Sequence, residues 1–114
     1  MKLHYLEIVT SDVDAQCAAY QAIHGAEFGD PVAELGDARV ATSSEGYRIG
    51  FRAPMHDAED PVVRPYFLTD DITAAMQRLT EAGAEIALPP MEIPNHGTCA
   101  ICIWEGIHHG LWQL

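Results

Sequence analysis

Apolar residues recur along this chain with two alternating periods, and the alternation occurs twice. Residues 3–10 form an apolar-rich run suited to a strand. Val13, Cys17, Tyr20 and Ile23 then recur at spacings of three and four, the stripe of an amphipathic helix. Asp12 stands where its carboxylate can cap the first free amides, and Gly25 is placed to end the helix in a left-handed conformation. Short strands are predicted near 26–28, 34–42 and 47–52. The second half repeats the order. A strand is predicted over 62–69, a cap at Asp70 or Asp71, a stripe of Ile72, Met76, Leu79 and Ala82, and a stop at Gly83. Strands near 85–87, 98–104 and 109–114 follow. Residues 89–97, with three prolines and a glycine, are expected to form a loop.

The two halves match in letters as well as in pattern. EIVTSDV at Glu7–Val13 superposes on YFLTDDI at Tyr66–Ile72, at an offset of 59. GAEF at residues 25–28 superposes on GAEI at 83–86, at an offset of 58. Two matches in the same order imply two copies of one unit. Each unit reads β-α-β-β-β, over 1–52 and 62–114, joined by the Pro- and acid-rich linker 53–61. The expected fold is α+β, two tandem βαβββ units forming a curved mixed sheet with helices on its outer face. The opposite face would be a trough able to hold a ligand.

With 114 residues, 48% of them hydrophobic, the chain is one domain with one core. Seventeen acidic residues against six basic ones give a net charge of −11. That field argues against nucleic acid and anionic membrane partners. No apolar run approaches the ~20 residues of a membrane helix, and the first residues lack the pattern of a secretory signal, so a cytoplasmic protein is expected. Cys99 and Cys102 match C-x-x-C, but on a strand residues three apart point to opposite faces. Both are expected to be core thiols, not a redox or zinc pair.

Glu7–Val13 with its Asp12 cap, the Tyr20…Gly25 helix end, Asp71-Ile72…Gly83-Ala84 and the closing Gly97…Gly106…Gly110-Leu111-Trp112 together resemble the vicinal oxygen chelate (VOC) superfamily. That superfamily includes glyoxalases, bleomycin-resistance proteins and extradiol dioxygenases. The Glu before V-T-x-D and the P-N-H-G loop are similar to small bacterial members labelled glyoxalase-like or hydroxylase. The resemblance implies four metal-ligand positions, which fall here on Tyr5, Phe51 (or Ile49), Arg64 and Gly110. Those side chains do not make the usual imidazole and carboxylate set. No metal and no other cofactor is therefore expected.

Strand alternation places Tyr5 and Glu7, Arg64 and Tyr66, and His108 and Trp112 on the trough face, with His109 turned away. With Phe51, these residues make a largely aromatic cleft carrying one carboxylate, one guanidinium and one imidazole. His96, in the Pro-rich loop, is a candidate lid residue. The expected function is binding of a small, partly aromatic or apolar organic ligand by Tyr5, Phe51, Arg64, Tyr66, His96 and Trp112. The alternative is a lyase, isomerase or dioxygenase-type metalloenzyme using Glu7 and His108. A homodimer is expected from the resemblance.

Overall fold

The computed structural model describes residues 1–114. Seven strands and two helices occur in the order β1 (Leu3–Val9), α1 (Val13–His24), β2 (Arg39–Thr42), β3 (Arg48–Arg52), β4 (Val62–Leu68), α2 (Ile72–Glu81), β5 (Glu85–Ile93), β6 (Gly97–Trp104) and β7 (Ile107–Gln113). A single 3-10 turn, Ala33–Leu35, lies between α1 and β2. Parallel pairings of β1 with β3 and of β4 with β7 stand beside antiparallel pairings of β2–β3, β5–β6 and β6–β7. The architecture is α+β with a mixed sheet, as expected. No helix is long and apolar enough to cross a membrane.

The chain divides into two compact units: Tyr5–Val63, and Arg64–Leu114 together with Met1–His4. In the first, the strands run in the order β2-β3-β1. Helix α1 starts at Asp12, whose carboxylate accepts from the Ala15 amide at 3.1 Å, and ends on Gly25 at φ 68°. Cys17 is its one buried side chain; Ile23, expected in the stripe, is 70% exposed. The strand expected at 26–28 does not form. Phe28 and Gly29 are instead tied to β2 by the Gly29 amide on the Val40 carbonyl and by the Arg39 guanidinium on the Phe28 and Gly29 carbonyls.

In the second unit the order is β4-β7-β6-β5. Helix α2 starts at Asp71, which accepts from the Ala74 amide at 3.0 Å. It packs Ile72 and Met76 against Ala84, Ala100 and Cys102, with Leu79 and Leu111 alongside. Cys99 lies in register with Trp112 and Cys102 with His109, so the C-x-x-C pair is split between faces and no disulfide forms. The proline-rich loop expected over 89–97 is a correction: β5 runs through Pro89 and Pro90 to Ile93, leaving a turn at 94–96. The prolines fit because β5 is last in its strand order, and its pairing with β6 slips between Ile86 and Leu88 and again between Leu88 and Met91. An edge strand with bulges tolerates missing amide donors.

Candidate functional site

In the unit Tyr5–Val63, β1 pairs in parallel with β3 so that Tyr5 lies beside Arg48, Glu7 beside Gly50 and Val9 beside Arg52. These side chains share the face opposite α1. The alternate set, including Ile8 and Phe51, faces the helix, where Tyr20 meets Phe51 edge-on at 4.9 Å and Phe28 sits 5.3 Å from it. The placement of Phe51 with Tyr5 and Glu7 is thereby corrected, and Ile49 falls on the helix side with it. The parallel register, which a single strand cannot reveal, decides the face.

Glu7 is buried, and its Oε2 accepts from Arg52 Nε at 2.7 Å. The same guanidinium grips Glu59 through Nη1 and Nη2 at 2.9 and 2.7 Å. Glu59 also accepts the Met55 amide at 2.7 Å, which folds residues 55–59 back onto the arginine. The bidentate hydrogen bond from Arg52 holds the Glu59 carboxyl down at about 2, with help from the Met55 amide. Glu59 in turn keeps Arg52 firmly protonated, and Glu7 adds to the effect. Sequence reading missed Arg52 and Glu59. The available signal was an arginine, Arg52, closing a short strand just before an acidic linker.

The Tyr5 ring lies under the Arg48 guanidinium, 5.9 Å from its centroid. Burial, and then the charge of Glu7, push the Tyr5 hydroxyl above its ordinary value. That hydroxyl occupies the space a Cβ at position 50 would need, so Gly50 and Tyr5 fit as a pair.

In the second unit, Tyr66 pairs with Gly110 and Leu68 with Trp112 in parallel register. Arg64 and His108 lie two residues earlier on the same face, and Arg64 Nε donates to His108 Nδ1 at 3.2 Å. An imidazole accepting at Nδ1 carries its proton on Nε2. Tyr66 meets Trp112 edge-on at 5.5 Å, and the His4 ring lies 5.2 Å from the same indole. Trp112 is 1% exposed, and its Nε1 donates to the His96 carbonyl at 2.7 Å. His96 thus anchors the β5–β6 turn to β7 through its backbone. Arg64, Tyr66 and Trp112 are buried, whereas His96 and His108 are half-buried. His109 points to the other face, 6.3 Å from Trp104.

No known protein-family profile matches the sequence, and no curated protein does. Solved structures do. Methylmalonyl-CoA epimerase from Mycobacterium tuberculosis superposes with a TM-score of 0.72 at 15% identity, covering 98% of this chain and 87% of that one. A hypothetical protein from Bacillus halodurans C-125 gives 0.77 at 12% identity, covering 99% and 94%. A variant of Streptomyces coelicolor methylmalonyl-CoA epimerase, in complex with 2-nitronate-propionyl-CoA, gives 0.69 at 18% identity, covering 99% and 96%. The chain has the vicinal oxygen chelate fold.

The VOC fold implies a divalent ion, and the donors present do not fit one. Tyr5 and Arg64 stand at two of the expected positions, and neither is an ordinary ligand of such an ion. On β3 the residue beside Glu7 is Gly50, and at Gly110 the ligand space is filled by the Tyr66 ring and the Pro65 carbonyl. No group of three His, Cys, Asp or Glu side chains converges anywhere in the chain. The chemistry these residues can perform is ion pairing at Glu7–Arg52, hydrogen bonding at Arg64–His108 and aromatic stacking around Trp112.

Proposed function

We propose that this VOC-fold protein binds a small organic ligand with an apolar or aromatic part, that it uses no divalent ion, and that it acts as a cytoplasmic homodimer. The observation that carries the reading is the Arg64–His108 hydrogen bond beside the edge-on Tyr66–Trp112 pair. A guanidinium fixed by a neighbour is pre-organised to take a carboxylate, and half-buried His108 lies where such a ligand would arrive. The aromatic pair, buried on the same face, gives that face its apolar character. Titration of labelled protein with benzoate and phenylacetate tests this, read by NMR and calorimetry. Saturable shifts of the His108 and Gly110 amides are expected, weakened about tenfold or more in Arg64→Lys, which keeps the charge but loses the fork. No shift at β4 or β7 would overturn the reading. Stoichiometric metal in the purified protein would overturn its metal-free part, and a monomer by light scattering its dimer.

A second reading is proton transfer at Glu7, in a lyase or isomerase. It is favoured by the burial and fixed orientation of that carboxylate, and by the likeness to structures named methylmalonyl-CoA epimerase. Incubation with methylmalonyl-CoA in D2O tests it. Deuterium uptake next to the thioester, lost in Glu7→Gln, would put this reading first; no uptake removes it.

A further inference from the structure

A groove of about 630 Å³ lies in the unit Tyr5–Val63 on the helix side of the strands, away from Glu7 and Arg52. Its floor is Leu6, Ile49 and Ala41, which stand in register across β1, β3 and β2. Two tyrosines wall it. Tyr20 comes from α1 and is held in place edge-on by Phe51 at 4.9 Å and His24 at 5.3 Å. Tyr47 comes from the β2–β3 hairpin, where its carbonyl accepts the Ser43 amide at 2.8 Å. Residues 42–44 form its rim. Size and lining, an apolar floor with a few polar groups, are those of a small-molecule site.

The charge of the groove selects the ligand. Helix α1 ends in it, at His24 and its cap Gly25. The last carbonyls of a helix lack intrahelical partners and carry the negative end of its dipole. Gly25 takes up the Gln21 carbonyl at 2.9 Å, and a Cβ at Gly25 would meet nothing within 4 Å, so the helix end opens onto space. His24, whose ring lies against Tyr20, is the one basic side chain in the lining; neither lysine nor arginine lines the groove, and the chain carries a net charge of −11. Tyrosine faces attract cations as well.

From this juxtaposition we propose that the groove between the C-terminal end of α1 and the β2–β3 hairpin binds a small aromatic amine, its ring between Tyr20 and Tyr47 and its ammonium toward the carbonyl end of α1. The site is separate from the β4–β7 face and stands or falls without it.

The test is an NMR titration of the labelled full chain with phenethylamine, with phenylacetate as the charge-reversed counterpart. Saturable shifts at Ala26, Ser44 and Tyr47 are expected from the amine and not from phenylacetate. Ser44→Trp, an exposed position whose new ring fills the groove, should weaken the amine at least tenfold without lowering the melting temperature. Tyr47→Ser removes one wall and should weaken it comparably, which keeps the test decisive if Ser44→Trp does not fold. The proposal is overturned if the amine leaves these amides unmoved or if phenylacetate moves them equally. Undiminished binding in a folded groove variant overturns it too.

Discussion

At the scale of single residues, the most informative interaction is one that joins distant parts of the sequence. Arg52 reaches Glu7, 45 residues earlier, and Glu59, seven later. The Glu59 carboxyl, 18% exposed, ionises near 2 in the fold, against about 4.5 when unpaired. Its folded value is the lower one, so the pairing contributes stability that is fully present above pH about 4.5 and is lost as pH falls toward about 2. Partial exposure discounts the effect to roughly 1–3 kcal/mol. Glu59→Gln should therefore lower stability at pH 7 by that order and flatten its decline between pH about 4.5 and 2. Urea denaturation at a series of pH values measures both, and parallel curves for the two proteins would refute the assignment. Alternation along β1 made the shared face of Tyr5 and Glu7 legible in the sequence. The wrong placement of Phe51 and the absence of Arg52 from the expected site have one cause. Each depends on which residue of β3 lies beside which residue of β1, and that register is a non-local property.

At the scale of elements, the repeated letters T-S-D and T-D-D have a physical meaning. In each unit the threonine hydroxyl accepts the amide of the capping aspartate, Thr10 from Asp12 at 3.2 Å and Thr69 from Asp71 at 3.4 Å. Each aspartate then accepts the amide three residues on. The pattern thus encodes a helix start and fixes where each strand hands over to its helix. In α2 the Ile72 amide is also satisfied, by Gln113 Oε1 at 2.8 Å. Asp71→Ala should cost about 1 kcal/mol, because it orphans one amide at the start of the helix that carries Ile72 and Met76 into the core. Asp71→Asn should cost only a few tenths, since its carbonyl oxygen can still accept. Equal losses from the two variants, measured by chemical denaturation, would show that charge and not the cap hydrogen bond matters there. Caps and stripes are local signals, which is why both helices were legible. Strand β5 was legible only at its start, near 85–87, because its prolines read as a loop until the edge position and the bulges of its pairing are known.

At the scale of the whole molecule, the balance of charge outweighs any one pair. The ordering of strands and helices was written in the period changes of the sequence, and the likeness to solved structures at 12–18% identity is a likeness of fold. What the sequence states without ambiguity is a net charge of −11. Such an excess opposes compaction by self-repulsion, and salt screens it over a distance that shrinks from ~30 Å at 0.01 M to ~10 Å at 0.1 M. The described ion pairs pull the other way. Arg39–Asp14 is partly exposed and contributes little, while Arg52 with Glu7 and Glu59 is shielded from solvent and loses little to screening. The repulsive component should therefore win, and raising NaCl from 0.01 to 0.3 M at pH 7.5 should raise the melting temperature, by roughly 4 °C for about 1 kcal/mol. Potassium chloride should act equally, since screening depends on ionic strength and not on a bound cation. A fall in melting temperature with salt would mean that ion pairs, and above all the Arg52 cluster, govern stability more than the net charge does.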